Sequence, residues 1–486
     1  MNIRLVFAFL VSITFLSGRG QSCLPNGISF NRQAAVDAFP INYPGCTSIE
    51  GDLFIGGFYE DPSDIQNVDS LIGLTSIGGD LIISGYYGND DFHSLIGFSN
   101  LSVINGDLIL EMNPSLTSLE GLNQLVHVGG NLIIRQMPVS TLSDLGGLVD
   151  ISGDMSIVGT LFQNLTGLKS LNSVNGDILI GSNAYLTELT GMEWLSQSNG
   201  ALDIQSNSSL ESLTGLENLT VTNGYLKIGN NNSLKDLTGL ANLVHIGGGL
   251  DLWDNNRLND FTGLNSLTSI GGSLTIYSNP RNNLAGLDNL SSIGGGLFIS
   301  WIGWLTNLDE LGNLTSIGGI IQIDDNGALL NLDGLNNIQA NSISGLKIRY
   351  NLSLSSCNAR SICDYLAAPS GIVEISNNAS GCNSADEVLQ SCDFSVPEFP
   401  DSSLRYQIYP NPSTGKFTLT FTSSESIDFH FSLTNIIGQR IIDLIAFVGP
   451  GLPWNYNWNA ATMPAGVYLF QISANGKTAS GKLIIH

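Results

Sequence analysis

Three sets of side chains stand at spacings that could do chemistry if the chain winds into regular coils. Tyr225, Lys227, Asp251, Trp253, Tyr277, Trp301 and Trp304 fall on successive turns of one repeating pattern. Aromatic rings beside a few polar groups on an exposed sheet suit a sugar or a peptide. Cross-strand aromatic pairs also stabilise a sheet with no ligand at all. Asp52, Asp80, Asp107, Asn131, Asp154 and Asp177 recur in the same manner. Stacked strands would place them about 4.8 Å apart. Like charges at that range repel by roughly 1 kcal/mol in a water-like dielectric. Such a row could recruit Ca²⁺, which favours carboxylate oxygens. The alternative is that Gly-Asp is a turn preference and the row is solvated. No other cofactor is expected.

The third set is the cysteines, which flank the repeating middle. Cys23 and Cys46 precede it, and Cys357, Cys363, Cys382 and Cys392 follow it near its end. An even count in an exported chain reads as disulfides. Cys23–Cys46 would close an N-terminal cap. The other four allow three pairings, Cys382–Cys392 being a plausible bond. Zinc is the alternative, although no His lies near them.

Catalysis is not expected. His93, His127, His245 and His430 are scattered, and His127 and His245 hold equivalent repeat positions. No Gly-x-Ser-x-Gly elbow, His-Glu-x-x-His or phosphate loop occurs. Asp324-Asp325 are adjacent, so on a strand they point to opposite faces. Lys+Arg 17 against Asp+Glu 42 gives a net charge of −25, which repels phosphate and excludes a basic nucleic-acid face.

The element that must position these residues is a short strand, Leu-x-Ile, opening at Leu53, Leu81, Leu108, Leu132, Met155, Ile178, Leu202, Leu226, Leu250, Leu274, Leu297, Ile321, Leu346 and Val373. Successive spacings are 23–28 residues, giving about fourteen coils. Apolar residues then follow every third position, as in Leu258, Phe261, Leu264, Leu267 and Ile270. An Asn recurs five residues after the strand opens, at Asn113, Asn183, Asn207, Asn231, Asn255, Asn279, Asn326, Asn351 and Asn378. Such a coil cannot bury its apolar side alone, so coils must stack. A buried Asn at a fixed corner would bond the turning backbone of its neighbours. Glycines would supply positive φ at the corners.

This pattern, with Gly-Leu at its middle and Gly-Asp-Leu before the next strand, resembles leucine-rich repeats and, more closely, the receptor L domain. The resemblance covers about residues 47–380 and implies a binding solenoid that works through a sheet face. Its number of uninterrupted turns exceeds the usual L domain.

The two ends differ from the middle. Met1-Asn2-Ile3-Arg4, an apolar run from Leu5 to Leu16 and Ser17-Gly18-Arg19-Gly20 read as a signal peptide. Cys23 invites a lipoprotein reading, but Gly20-Gln21-Ser22 lack the usual aliphatic residue. No later segment reaches the roughly 18 apolar residues of a membrane span. After residue 404 alternating strands take over, such as Phe417–Phe421 and Phe429–Leu433, with Asn475-Gly476 as a hairpin turn. Tyr409, Pro410, Asn411, Pro412 and Gly415, then Gly438, then Gly466 and Tyr468, then Lys482 stand in four ordered motifs. Together these resemble the type A C-terminal sorting domain of the type IX secretion system of Bacteroidota. That resemblance implies passage through the outer membrane by that machinery, usually removal of the domain, and release or surface attachment of the cargo.

The expected fold is mainly all-β: a right-handed leucine-rich β-solenoid followed by a small immunoglobulin-like β-sandwich. The expected domains are a signal peptide (1–20), a disulfide N-cap (21–50), the solenoid (51–356), a final coil with a Cys-rich C-cap (357–392), a linker (393–404) and the sorting domain (405–486). The expected role is binding or adhesion to an unidentified protein or glycan at the cell surface or beyond it. A structural spacer or surface-layer component is the alternative, and a polysaccharide-acting enzyme a more distant one.

Overall fold

The computed structural model describes residues 21–59, 61–279, 283–392, 404–411, 413, 416–435, 439–459, 463–475 and 477–485. The expected signal peptide, all of the expected linker but Leu404, and Pro412, Gly415 and Gly438 of the sorting motif lie outside these residues. The chain divides into two compact units, one ending near residue 175 and the other running from residue 176 onwards.

Both units are built from the same coil. In the coil that opens at Leu250, the side chains of Leu250, Leu252, Leu258, Phe261, Leu264, Leu267 and Ile270 are at most 1% exposed. Burying each such side chain contributes about 1.5–3 kcal/mol. In the first unit the strands Leu53–Gly56, Leu81–Ser84, Leu108–Glu111, Leu132–Arg135 and Met155–Val158 pair in parallel, aliphatic opposite aliphatic. In the second, Ile178–Gly181, Leu202–Gln205, Leu226–Gly229, Leu250–Trp253, Leu274–Tyr277, Leu297–Ser300, Ile320–Asp324, Gly345–Arg349 and Val373–Ser376 do the same. Most coils also add a two-residue strand to a further parallel sheet of their own unit, for example Ser76–Ile77 in the first and His245–Ile246 in the second. The N-terminal segment joins this order, since Ile28–Phe30 pairs with Leu53–Gly56.

Between the two sheets the backbone turns a corner in the interior, where its polar groups need partners. The repeated Asn supplies them. The Nδ2 of Asn255 donates to the Ile228 carbonyl at 2.9 Å, and its Oδ1 accepts from the Asn231 backbone N–H at 3.1 Å. Asn207, Asn231, Asn326 and Asn351 repeat both bonds with their own neighbours. The corner residue before the ladder position is left-handed, and it is rarely glycine: Met112, Ser182, Ser206, Asn230, Asp254, Ser278, Asp325, Tyr350 and Asn377 before an Asn, and Trp301 before Ile302, all have φ between 50° and 60°. The positive φ expected of glycine at corners where a side chain would clash falls at another turn of the coil. The two hydrogen bonds of the following Asn hold the strained residue in place. Glycine is reserved for a different turn, as at Gly215, where φ is 110° and a Cβ would lie 2.2 Å from the Leu189 carbonyl oxygen.

The caps are closed by disulfides. Cys23 bonds Cys46, as expected. The other pairs are Cys357–Cys382 and Cys363–Cys392, so the Cys382–Cys392 pairing is corrected. The reason is a helix, Ala385–Ser391, that separates Cys382 from Cys392. Seven helical residues rise roughly 10 Å, beyond the reach of a disulfide. Each cysteine instead bonds a partner in the preceding coil: Cys363 sits on the helix Arg360–Ala367 and Cys357 just before it.

The C-terminal residues form two antiparallel sheets. Leu404–Tyr409, Lys416–Ser423 and Trp454–Asn459 make one, and Arg440–Val448, Ile427–Asn435, Gly466–Ala474 and Lys477–Ile485 the other. Phe417, Leu419, Phe421, Phe429, Phe431, Leu433, Phe470 and Ile472 fill the space between them, at most 2% exposed. This is a sandwich with its own core.

Candidate functional site

The outer sheet face of the second unit carries the aromatic and charged set. Parallel register places Lys227 opposite Asp251, and Gly229, Trp253 and Tyr277 in one row. The Trp253 and Tyr277 rings stack 6.1 Å apart at 8° to one another. Gly229 makes this possible, since a Cβ there would lie 2.0 Å from the Trp253 indole. The indole therefore lies over a neighbouring strand, and its plane continues into Tyr277. Lys227 places its Nζ 4.3 Å from the centre of the Tyr225 ring, a cation–π contact that orients both. Burial, with Asp254 and Asp251 nearby, raises the pKa of the Tyr277 hydroxyl, which stays neutral and able to donate. Trp301 lies elsewhere: it is one of the left-handed corners, 64% exposed, and Trp304 three residues on is 75% exposed. Five of the six expected ligand residues thus share a face, and Trp301 stands at its margin.

Asp203 belongs to this face and was not anticipated. It lies opposite Lys227 in the register, is 9% exposed, and its Oδ1 has no hydrogen-bond partner among the described residues. Its Oδ2 accepts from Gln205 at 3.3 Å. Desolvation raises its pKa, Lys227 opposes that, and Asp251 adds to it. The signal in the sequence was a carboxylate one residue into a strand, two coils before Asp251. A raised carboxyl pKa means the ionised form is disfavoured by folding. The resulting penalty is absent below the unfolded value of about 3.9, grows as pH rises through the folded value, and persists above it. Asp203→Asn is therefore expected to raise Tm by on the order of a few degrees at pH 7. At pH 3 the two proteins should melt together. Calorimetry at both pH values checks this.

The Asp row is brought into register, and its carboxylates face backbone. Asp52 Oδ1 accepts from the Asp80 N–H at 2.9 Å, Asp80 from Asp107 at 2.7 Å, and Asp107 from Asn131 at 2.6 Å. Asn131 accepts from Asp154 at 2.7 Å, and, in the second unit, Asp177 from Ala201 at 2.7 Å. The preceding glycine is required by this packing. A Cβ on Gly79, Gly106, Gly130 or Gly200 would sit 2.0–2.3 Å from the carboxylate oxygen of the coil before. Gly-Asp is thus a two-residue unit: the Asp caps the next coil, and the Gly leaves room for the previous Asp. One carboxylate oxygen each of Asp52, Asp80, Asp107 and Asp177 is bonded this way, and Asp154 joins the row through its own N–H. Among the described residues no three His, Cys, Asp or Glu side chains converge as a metal site.

In the C-terminal sandwich the motif residues tie the end of the chain together. Asn411 donates from Nδ2 to the Lys482 carbonyl at 2.8 Å and accepts at Oδ1 from the Ile484 N–H at 2.9 Å. The Tyr468 hydroxyl donates to the Pro464 carbonyl at 2.8 Å. Tyr409 and Pro410 lead into the Asn411 corner, Tyr409 being 52% exposed, and Gly466 opens the strand of Tyr468. The last strand, Lys477–Ile485, is thereby fixed both by its neighbour and by the Asn411 corner.

Residues 407–486 match the family described as a secretion system C-terminal sorting domain. This sandwich is that domain, and the protein is a type IX secretion cargo, exported through the outer membrane and attached to or released from the cell surface. No curated protein matches the chain. Among the described residues no helix is long and apolar enough to cross a membrane.

Proposed function

We propose that the exported part of this chain is a non-catalytic binding or adhesion protein that recognises a glycan or protein through the outer sheet face of its second unit. The observation that carries this is the flat Trp253–Tyr277 stack laid over Gly229, flanked by Lys227, Asp251 and the unpartnered carboxylate oxygen of Asp203. A stack made only to hold strands together would not need a charged pair and an unsatisfied acceptor beside it. An unsatisfied buried acceptor costs about 1–3 kcal/mol.

The test is binding by the full chain to arrays of glycans and of peptides. The W253A/Y277A double variant is expected to bind the retained ligand about tenfold or more weakly than wild type, as for central aromatic anchors. Trp253→Phe, which keeps a ring, should lose less. Equal binding by the double variant, or no ligand on either array, would replace this reading with that of a structural spacer.

A further inference from the structure

We propose that the two longest coils of the first unit carry a second binding site, an aromatic shelf that takes a neutral polysaccharide against the apolar faces of its sugar rings. The strand openings Leu53, Leu81 and Leu108 are 28 and 27 residues apart, against 24 and 23 for the next two coils. The added length emerges in two stretches, residues 57–59 with 61–62, and 85–91, and both carry aromatic residues. Phe58 is 48% exposed, Tyr59 81%, Tyr86 61% and Tyr87 41%. Phe54 stacks on Phe58 at 5.3 Å, Tyr59 meets Tyr87 edge to face at 5.9 Å, and Tyr86 meets Tyr87 edge to face at 4.8 Å.

The shelf is braced from beneath. Phe58 and Asp61 exchange backbone hydrogen bonds at 2.9 Å. The Asp61 carboxylate is held by Arg32 and Asn31, and Arg32 also donates to the Pro62 carbonyl at 2.5 Å. Ser63 N–H donates to the Gly88 carbonyl at 2.8 Å, which joins one loop to the other. A Cβ on Gly57 would lie 2.1 Å from the Tyr87 carbonyl oxygen, so the loops pack backbone to backbone. Exposed rings fixed in advance lose little entropy on binding. An apolar patch maintained in water at the surface of a folded unit marks an interaction site.

The chemistry selects the occupant. Ring faces attract the weakly positive C–H groups of a pyranose. Tyrosine hydroxyls both donate and accept, as sugar hydroxyls require. Asp90 and Asp91, exposed in the same loop as Tyr86 and Tyr87, are acceptors for further hydroxyl bonds. With a net charge of −25 on the chain, they repel uronic, sulfated or phosphorylated glycans. A protein partner with apolar side chains would leave the tyrosine hydroxyls desolvated.

Affinity electrophoresis of the full chain tests this, with soluble β-glucan and galactomannan as neutral probes and alginate as the anionic one. Retardation is expected with a neutral probe and not with alginate. Y59A/Y86A should weaken it about tenfold or more at unchanged Tm, and Y59F/Y86F should retain most of it. No retardation by either neutral probe, retardation by alginate alone, or retardation that survives Y59A/Y86A would overturn the proposal. Loss on W253A/Y277A with none on Y59A/Y86A would place the sugar on the Trp253–Tyr277 face of the second unit and likewise overturn it.

Discussion

Asn255→Ala is expected to lower Tm by on the order of 10 °C, whereas Asn256→Ala, one residue on, should leave it nearly unchanged. Asn255 is fully buried and Asn256 is exposed. Removing the Asn255 amide strands two groups, the Asn231 N–H and the Ile228 carbonyl, on either side of a corner closed to water. Each orphaned group costs about 1–3 kcal/mol, and the cavity left by the amide adds to that. The Asn230 corner, with φ of 54°, also loses the bond that fixes the residue after it. Calorimetry of the two variants separates the ladder from a general intolerance of asparagine replacement. Equal melting of Asn255→Ala and wild type would remove the ladder from the account.

Deleting residues 405–486 is expected to abolish appearance of the protein outside the cell, with surface and medium levels falling to background. The sandwich has its own core, so the deletion takes no buried side chain from the coils. Asn411→Ala is the milder form. It leaves the Lys482 carbonyl and Ile484 N–H without their side-chain partner and loosens the last strand. Cell fractionation with detection of the coil region checks both. Undiminished surface levels in the deletion would contradict the assignment of residues 407–486 as the export signal.

The period and register of the coils were legible because nearly every inward position is filled by Leu, Ile, Val, Phe or Met, the buried Ser198 and Thr222 being exceptions, and each strand presents two inward aliphatic residues. The Asn ladder was legible for a similar reason: a polar residue recurring amid apolar ones must be satisfied. The Asp row was legible as a row but not in its role. Spacing shows that Asp80 follows Asp52 by one coil, and it does not show that the Asp80 N–H turns toward Asp52. The glycine before each Asp was the clue, read as a turn preference when it is a clearance for an oxygen. Cysteine pairing depended on the helix Ala385–Ser391, too short to announce itself by periodicity. The aromatic face was legible because Lys227, Asp251, Trp253 and Tyr277 follow the coil register. Asp203 was hidden because its burial comes from neighbouring strands. The shelf of Phe58, Tyr59, Tyr86 and Tyr87 lies in residues that break the period, where reading by register has no purchase.

Side chains that bond one coil to the next leave the sheet face as the surface available to a ligand. Hydrogen–deuterium exchange of the full chain measures this directly. The backbone amides of Asn207, Asn231 and Asn255, and of Asp80 and Asp107, each donate to the side chain of a neighbouring coil. They should exchange only on global unfolding, as slowly as the strand amides of Leu226–Gly229 and Leu250–Trp253. Exchange of these corner amides at the rate of exposed loops, with the strands still protected, would contradict it.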